Sequence, residues 1–165
     1  MIEINIAKTN SDLILIEQLA NTIWREHYIP IIGLKHVEYM LDKYQSVKSM
    51  KDQIENGSYY YLICYKTKPV GYLSFSYEAD AVFLSKIYVL SYYRGKKIGK
   101  AAMLFVENST RKKKLSKIYL TVNKDNLNSI KAYEKLGYRN TGAAIKDIGE
   151  GFIMDDYKME KIIKG

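Results

Sequence analysis

The hydrophobic periodicity of this 165-residue chain switches from helical to strand spacing at Tyr59, and that switch limits the folds open to it. Before it, one short alternating segment (residues 2–6) is followed by apolar residues that recur every three or four positions. After it, short runs of aromatic and branched residues are interrupted by two further helical stretches. Because helices and strands are interleaved in this way, the sequence predicts a mixed sheet covered by helices.

Local signals give the approximate ends of these elements. The predicted helices lie near residues 10–23, 34–44, 46–57, 98–111 and 126–136. The predicted strands lie near residues 2–6, 59–65, 70–75, 82–89, 118–122, 138–146 and 152–161, and the second to fourth form an antiparallel meander. No low-complexity linker or repeat interrupts the chain, so a single domain over residues 1–165 is expected.

Cysteine content and hydropathy exclude several protein classes. Cys64 is the only cysteine, so the chain can form neither an internal disulfide nor a thiolate metal site. The N-terminus lacks the features of a signal peptide, and the longest apolar run, residues 59–65, is too short to span a bilayer. We therefore expect a soluble cytoplasmic protein with no metal and no membrane partner.

The positive charge of the chain is confined to its second half. The formal charge is +8, from 26 basic and 18 acidic residues. Residues 1–85 hold 8 basic and 10 acidic residues, a net of −2, whereas residues 86–165 hold 18 and 8, a net of +10. This asymmetry indicates an anionic partner, which could be nucleic acid, a membrane surface or a phosphorylated small molecule.

A basic, glycine-containing segment joins the predicted fourth strand to the next helix. It reads Tyr93-Arg94-Gly95-Lys96-Lys97-Ile98-Gly99-Lys100. Backbone N–H groups at a helix start, together with the helix dipole, form an anion site, and phosphate is its natural ligand. The P-loop pattern is excluded because only three residues separate the glycines and Ala101 follows the final lysine.

This segment resembles the acetyl-coenzyme A loop of the GNAT acetyltransferase superfamily, which is usually written R/Q-x-x-G-x-G/A. Arg94 and Gly99 fill the first and last positions of that pattern, and Lys97 stands where its middle glycine is expected. A side chain there is tolerable if the backbone stays helical. The resemblance implies cofactor binding by the seven loop residues Arg94, Gly95, Lys96, Lys97, Ile98, Gly99 and Lys100.

Residues 122–138 look like a second segment of the same superfamily, V-x-x-x-N-x-x-A/S-x-x-x-Y-E-K-x-G-F/Y, with every position filled. Asn126, Ser129 and Tyr133 have i, i+3, i+7 spacing and so share one helix face. By resemblance, Asn126 hydrogen-bonds the pantetheine arm, Ser129 permits its close approach, and Tyr133 is the general acid for the leaving thiolate. Taken singly, Asn126 could be a helix cap and Tyr133 a core aromatic.

The superfamily's fold adds further expectations. It implies an α/β (α+β) architecture: a mixed, mostly antiparallel central sheet of about seven strands, flanked by helices, with splayed fourth and fifth strands. The pantetheine would pair with the fourth-strand backbone at Ile87, Tyr88 and Val89. Lys135, with Lys96 and Lys100, is a candidate for the phosphates.

The base and the acceptor are less defined. The fourth strand carries Leu84-Ser85-Lys86, with no carboxylate where many family members have a glutamate. Glu26 and His27, before a predicted loop containing Pro30, are candidate bases. Four carboxylates between residues 147 and 156 could attract a cationic amine, or could be solvated acids beside a β-turn.

The sequence thus predicts direct acetyl transfer from acetyl-CoA to a primary amine of a small molecule, with a polyamine among the candidates. Three alternatives stay open: a protein or peptide amine as acceptor, a cofactor sensor without activity, and a nucleic-acid-binding protein. We do not expect a nucleic-acid partner, because the aromatic side chains of five tyrosines belong to predicted strands, where amphipathic aromatics pack naturally: Tyr59, Tyr61, Tyr65, Tyr72 and Tyr77. A homodimer is left open.

Overall fold

The computed structural model describes residues 1–165 and confirms the predicted order of elements and the mixed α/β class. The helices are α1 (Asn10–Ile32), α2 (Leu34–Tyr44), α3 (Val47–Glu55), α4 (Ile98–Lys112) and α5 (Leu127–Lys135). The strands are β1 (Ile2–Ile6), β2 (Tyr59–Tyr65), β3 (Lys68–Tyr77), β4 (Ala81–Val89), β5 (Lys117–Asn123), β6 (Arg139–Gly149) and β7 (Phe152–Ile162). They form a seven-stranded sheet in the order β1-β2-β3-β4-β5-β7-β6. No helix has the length and apolar character needed to cross a membrane.

The chain forms two compact units. The first contains residues 1–77 and 84–106, which hold β1 to β3, the later part of β4, α1 to α3 and the beginning of α4. The second contains residues 78–83 and 107–165, which hold the start of β4, the end of α4, β5, α5, β6 and β7. A single domain over residues 1–165 stays a prediction.

In the first unit, β2 pairs antiparallel with both β1 and β3. β3 starts at Lys68, two residues before the predicted start, so Pro69 lies inside the strand. Pro69 faces Cys64 at the point where the register shifts between Ile63 and Cys64. Such a bulge accommodates proline because the regular ladder of hydrogen bonds is already interrupted there.

Gly71 on β3 permits β4 to approach closely. A Cβ atom at this position would lie 2.3 Å from the carbonyl oxygen of Tyr88, a distance that side chains do not tolerate. Next to it, the Leu90 amide donates a hydrogen bond to the Val70 carbonyl at 2.8 Å. Gly71 therefore helps to fix the backbone of the β4 segment that the sequence assigns to the cofactor.

The predicted loop containing Pro30 was wrong, because α1 continues to Ile32. Pro30 removes one helical hydrogen bond, and the last turn of a helix tolerates this loss since few bonds follow it. Gly33, with a φ angle of +88°, then separates α1 from α2. The predicted apolar stripe of α1 is buried, as Leu13, Ile16 and Ile23 show.

The second unit is built on β5. Residues Ala81–Phe83 of β4 pair with Lys117–Tyr119 in parallel, over three residue pairs only. This short register agrees with the splayed fourth and fifth strands that the sequence predicts. On its other side β5 pairs antiparallel with β7, and β7 pairs antiparallel with β6. The β6–β7 connection is the expected turn, with positive φ angles at Gly149, Glu150 and Gly151.

Candidate active site

The loop between β4 and α4 has an unusual backbone. Gly95 and Lys97 have φ angles of +81° and +63°. The left-handed conformation costs a residue with a Cβ atom about 1–2 kcal/mol, which explains why the resembling pattern has glycine at the position of Lys97. The condition that Lys97 stay helical is therefore not met, and the chain accepts local strain there. Alternating backbone conformations of this kind turn N–H groups toward a common point.

The start of α4 is suited to an anion. Ile98 is 1% exposed and anchors the helix, whereas Arg94, Lys96 and Lys100 are exposed. The first N–H groups of a helix have no partner within the helix, and its dipole favours negative charge beside them. A Cβ atom added at Gly99 would meet nothing within 4 Å, so the surface at the helix start is open to a ligand. The loop thus fits phosphate groups.

The β4 segment lies beside an aromatic cluster in the first unit. Ile87, Tyr88 and Val89 are half-buried. The Tyr88 ring centroid is 5.6 Å from that of Trp24 and 5.4 Å from that of Tyr72. Within this unit β4 is the last strand of the order β1-β2-β3-β4, so one backbone edge of residues 87–89 has no strand beside it there. Such an edge suits an extended ligand that hydrogen-bonds like a strand.

The strand-to-helix segment of the second unit places Ser129 and Tyr133 on one face of α5, with Asn126 directly before the helix. Asn126 occupies the N-cap position of α5 but makes no capping hydrogen bond with its side chain, and it is 3% exposed. This geometry argues against a simple cap. Ser129 and Tyr133 follow at helical spacing and are half-buried. Lys135 is exposed in the last turn of α5.

The predicted site residues divide between the two units. Residues 87–89 and 94–100 belong to the first unit. Asn126, Ser129, Tyr133 and Lys135 belong to the second. Within each unit, the residues expected to act together are neighbours on one loop, one strand or one helix face.

The sequence matches the acetyltransferase (GNAT) family over residues 16–138, a range that includes both predicted segments. The chain belongs to the GNAT acetyltransferase family. It is therefore an acyltransferase that uses acetyl-CoA. No curated protein matches the chain.

Solved structures support the fold of this GNAT acetyltransferase. A PaiA N-acetyltransferase from Thermoplasma acidophilum, in complex with coenzyme A, is 22% identical with a TM-score of 0.82, covering 98% of this chain and 99% of that one. The ribosomal-protein-S18-alanine N-acetyltransferase from Escherichia coli is 17% identical with a TM-score of 0.75, covering 100% and 96%. A spermidine N-acetyltransferase chimera from Vibrio cholerae is 17% identical with a TM-score of 0.69, covering 98% and 95%.

The two candidate bases of this GNAT chain lie near the end of α1. The Glu26 carboxylate accepts a hydrogen bond from the Ser91 hydroxyl at 2.7 Å, which connects α1 to the turn after β4. His27 packs edge-on against Tyr28, with ring centroids 4.8 Å apart. Both side chains are in the first unit, and their role as bases stays a prediction.

Sequence reasoning passed over Lys86, which the structure buries. Its side chain is 6% exposed and its ammonium group donates hydrogen bonds to the Tyr44 carbonyl, the Gln53 amide oxygen and the Tyr60 hydroxyl. Burial lowers the pKa of Lys86 to about 7. The alternation of β4 could have revealed it, because residues 84, 86 and 88 share one face of a strand.

The acidic C-terminal hairpin resolves into side chains with different surroundings. Asp147 accepts a hydrogen bond from the Gly149 amide at 2.9 Å, which is a local turn interaction. Asp155 forms an ion pair with Lys124. Glu150 is exposed in the turn, whereas Asp156 is buried. The four carboxylates therefore do not act as one acidic patch.

Proposed function

We propose that this GNAT acetyltransferase passes the acetyl group of acetyl-CoA directly to a primary amine of a small molecule in a ternary complex. The observation that carries the proposal is the start of α5, where the buried N-cap residue Asn126 is followed by Ser129 and Tyr133 on one helix face. Asn126 would bind the pantetheine arm through its side chain, and Ser129 would let that arm approach the helix. Tyr133 would supply a proton to the leaving thiolate.

Tyr133 suits that step because a phenol carries its proton at neutral pH and can donate it without first being charged. Acyl transfer from a thioester expels a thiolate, and protonation of that thiolate favours its departure. The half-buried position of Tyr133 leaves part of the side chain accessible to a ligand.

The cofactor's phosphates would be held mainly by the loop before α4. Arg94, Lys96 and Lys100 supply positive charge around the helix start, and the backbone N–H groups supply directed hydrogen bonds. Lys135 at the end of α5 is a further candidate. The pantetheine would add to the backbone of Ile87, Tyr88 and Val89.

Two structural neighbours support two different kinds of acceptor. The spermidine N-acetyltransferase chimera and the buried carboxylate of Asp156 favour a small cationic amine. The ribosomal-protein-S18-alanine N-acetyltransferase favours a peptide N-terminus as the second candidate. We place the small amine first, because a buried carboxylate attracts a compact ammonium group.

A nucleic-acid role has less support, since Arg111, in the basic run at the end of α4, forms hydrogen bonds within the chain. Arg111 donates hydrogen bonds to the Lys164 carbonyl at 3.1 Å and to the Asn108 side chain at 3.0 Å. The cations also complement the carboxyl end of the helix dipole. A reducing, cytoplasmic location is proposed because the chain has a single cysteine.

Coenzyme A binding and acetyl transfer test the proposal. At a coenzyme A concentration one hundredfold above its Kd, the midpoint of thermal unfolding should rise by about 5–10 °C. With acetyl-CoA, a panel of spermidine, spermine, small alkylamines, aminoglycosides and peptide N-termini should include an acceptor that releases the thiol of coenzyme A. An unchanged midpoint, or no thiol release with any amine, would contradict the proposal.

Matched variants localise the binding. Arg94→Ala should weaken coenzyme A binding about tenfold, because it removes a charge-assisted contact. Lys112→Ala removes an equal charge from an exposed position at the C-terminal end of α4, the helix that follows the loop, and should leave coenzyme A binding unchanged. Equal effects of the two substitutions would show that the loop has no special role.

A further inference from the structure

Asp156 on β7 is a buried carboxylate whose surroundings differ from those of the other acidic residues in the hairpin. Its side chain is 6% exposed. No lysine or arginine forms an ion pair with it, although the adjacent Asp155 is paired with Lys124. A buried, unpaired carboxylate costs stability, so its presence calls for a function.

The strand register places Asp156 close to the segment that leads into α5. Asp156 lies opposite Asn123, the last residue of β5, and opposite Ala144 of β6. Thr121, two residues before Asn123 on the same face of β5, is a diagonal neighbour of Asp156, and its side chain favours the charged form of the carboxylate. Asn126, the residue directly before α5, is the third residue after Asn123. The carboxylate is therefore held at the end of β5 from which the proposed catalytic helix emerges.

The charged groups that face Asp156 are few. On β7 itself, Lys158 lies two residues after Asp156 and on the same face of the strand. Its ammonium group forms an ion pair with Glu160 at 3.6 Å and lies 4.6 Å from the Tyr119 ring centroid. On β6 the diagonal neighbour is the exposed Lys146. On β5 the facing residues, Thr121 and Asn123, do not titrate.

This environment changes the acidity of the group. Burial raises the pKa of Asp156 to about 6, and the adjacent Asp155 adds to the shift. A carboxylate with this pKa is ionised at neutral pH and is more basic than an exposed aspartate, which is the balance that general-base catalysis requires.

We propose that Asp156 is the general base that deprotonates the acceptor amine, an inference that rests on the proposed acetyl transfer. The acceptor arrives as an ammonium ion, and Asp156 takes one of its protons. The released nitrogen lone pair forms the C–N bond to the acetyl carbonyl carbon, the C–S bond breaks, and the thiolate takes the proton of Tyr133. The second nitrogen proton returns to the Tyr133 phenolate, and Asp156 releases its proton to water.

The assignment explains why β4 has no carboxylate. An ammonium group has no lone pair, so transfer at neutral pH needs a group that removes its proton. No side chain of β4 is a carboxylate, and the ammonium group of Lys86 is already engaged by Tyr44, Gln53 and Tyr60. Asp156 supplies the missing function from β7, in the same unit as Tyr133.

The test compares pH profiles of kcat/KM for the wild type and Asp156→Asn, with acetyl-CoA and the most active amine of the panel described above. For the wild type, kcat/KM should rise to a plateau with an apparent pKa near 6. For Asp156→Asn, kcat/KM should be about a hundredfold lower than the wild-type value at pH 7, and it should increase about tenfold per pH unit toward pH 9. In that variant only the small fraction of neutral amine can react, and alkaline pH supplies more of it.

Two further variants make the result decisive. Glu160→Gln changes a carboxylate on the same face of β7 that is paired with Lys117 at 3.2 Å, and it should keep the wild-type profile. Asp156→Glu should retain a plateau with partial activity. Asp156→Asn should bind coenzyme A normally and unfold at an equal or higher temperature, since it removes a buried charge.

The outcomes separate the two proposals. A wild-type protein that neither binds coenzyme A nor acetylates any amine would overturn the proposed function, and the base assignment with it. An active wild type whose Asp156→Asn variant keeps the rate and the plateau would overturn only the base assignment. The base assignment also fails alone if Glu26→Gln, rather than Asp156→Asn, abolishes the plateau.

Discussion

Tyr133 and Tyr138 are neighbours in the second unit, with ring centroids 5.9 Å apart, but their surroundings suit different roles. Tyr133 is half-buried on the α5 face that also holds Asn126 and Ser129. We expect Tyr133→Phe to lower kcat about a hundredfold, because the thiolate would leave without a general acid. Thiol release measured with acetyl-CoA checks the rate, and the thermal shift with coenzyme A should be unchanged.

Tyr138→Phe is the matched control. The Tyr138 side chain is 2% exposed, its hydroxyl has no hydrogen-bond partner, and burial raises its pKa. Removing a buried, unpaired hydroxyl costs little, so this variant should retain activity and unfold at an equal or higher temperature. If both phenylalanine variants lose the same activity, packing around the two rings is responsible rather than proton transfer by Tyr133.

At the scale of single residues, the sequence predicted the site residues that belong to short local motifs, but it did not predict those that differ from their neighbours only by being buried. Arg94, Asn126 and Tyr133 could be named because they stand at fixed spacing within short segments. Asp156 could not be separated from Asp147, Glu150 and Asp155, since its distinction comes from strand pairing with β5 and β6. Lys86 was overlooked for the same reason: three partners from separate elements surround it.

At the scale of elements, Lys86 connects β4 to α2, α3 and β2. Its ammonium group bonds the Tyr44 carbonyl at the end of α2, Gln53 of α3 and Tyr60 of β2. Burial lowers the pKa of Lys86 to about 7, while an unfolded lysine keeps a pKa near 10.5. Between those values the unfolded chain binds more protons, so the free energy of unfolding must rise with pH.

We therefore compare the free energy of unfolding of the wild type with that of Lys86→Met. Above pH 7 the wild-type value should rise relative to the variant's by up to about 1.4 kcal/mol per pH unit. Urea unfolding at pH 7, 8 and 9 measures this difference. Lys51→Met, at an exposed position on α3, should give a pH dependence parallel to that of the wild type. A parallel curve for Lys86→Met as well would show that the buried lysine keeps its proton throughout this range.

Element order was predictable because hydrophobic period distinguishes helix from strand, whereas element ends depend on tertiary context. Pro30 suggests a loop in the sequence, yet α1 accommodates it in the last turn. Pro69 suggests a turn, yet a bulge opposite Cys64 lets β3 include it. The close approach of Gly71 to Tyr88 gives no local signal at all, since it arises between two strands.

At the scale of the whole molecule, the charge is distributed more evenly than the sequence halves indicate. The first unit holds 13 basic and 8 acidic residues, a net of +5, and the second holds 13 and 10, a net of +3. Two assignments account for the difference: the five basic residues from Lys86 to Lys100 belong to the first unit, and the acidic Glu78 and Asp80 belong to the second. Three of these five lie in the loop before α4 and Lys100 lies in the first turn of α4, where the phosphates of acetyl-CoA are proposed to bind.

Ionic strength distinguishes this local site from a general positive field. Raising NaCl from 50 to 300 mM should increase the KM for acetyl-CoA about fivefold, because the Debye length falls and exposed charges are screened. The double variant Lys96→Gln, Lys100→Gln should have a higher KM at low salt and a flatter salt dependence. The control double variant, Lys112→Gln with Lys114→Gln, removes the same charge from exposed positions at and after the end of α4. Its KM for acetyl-CoA should depend on NaCl concentration as the wild-type KM does. Equal flattening in both double variants would assign the attraction to the overall charge of +8 instead of the loop.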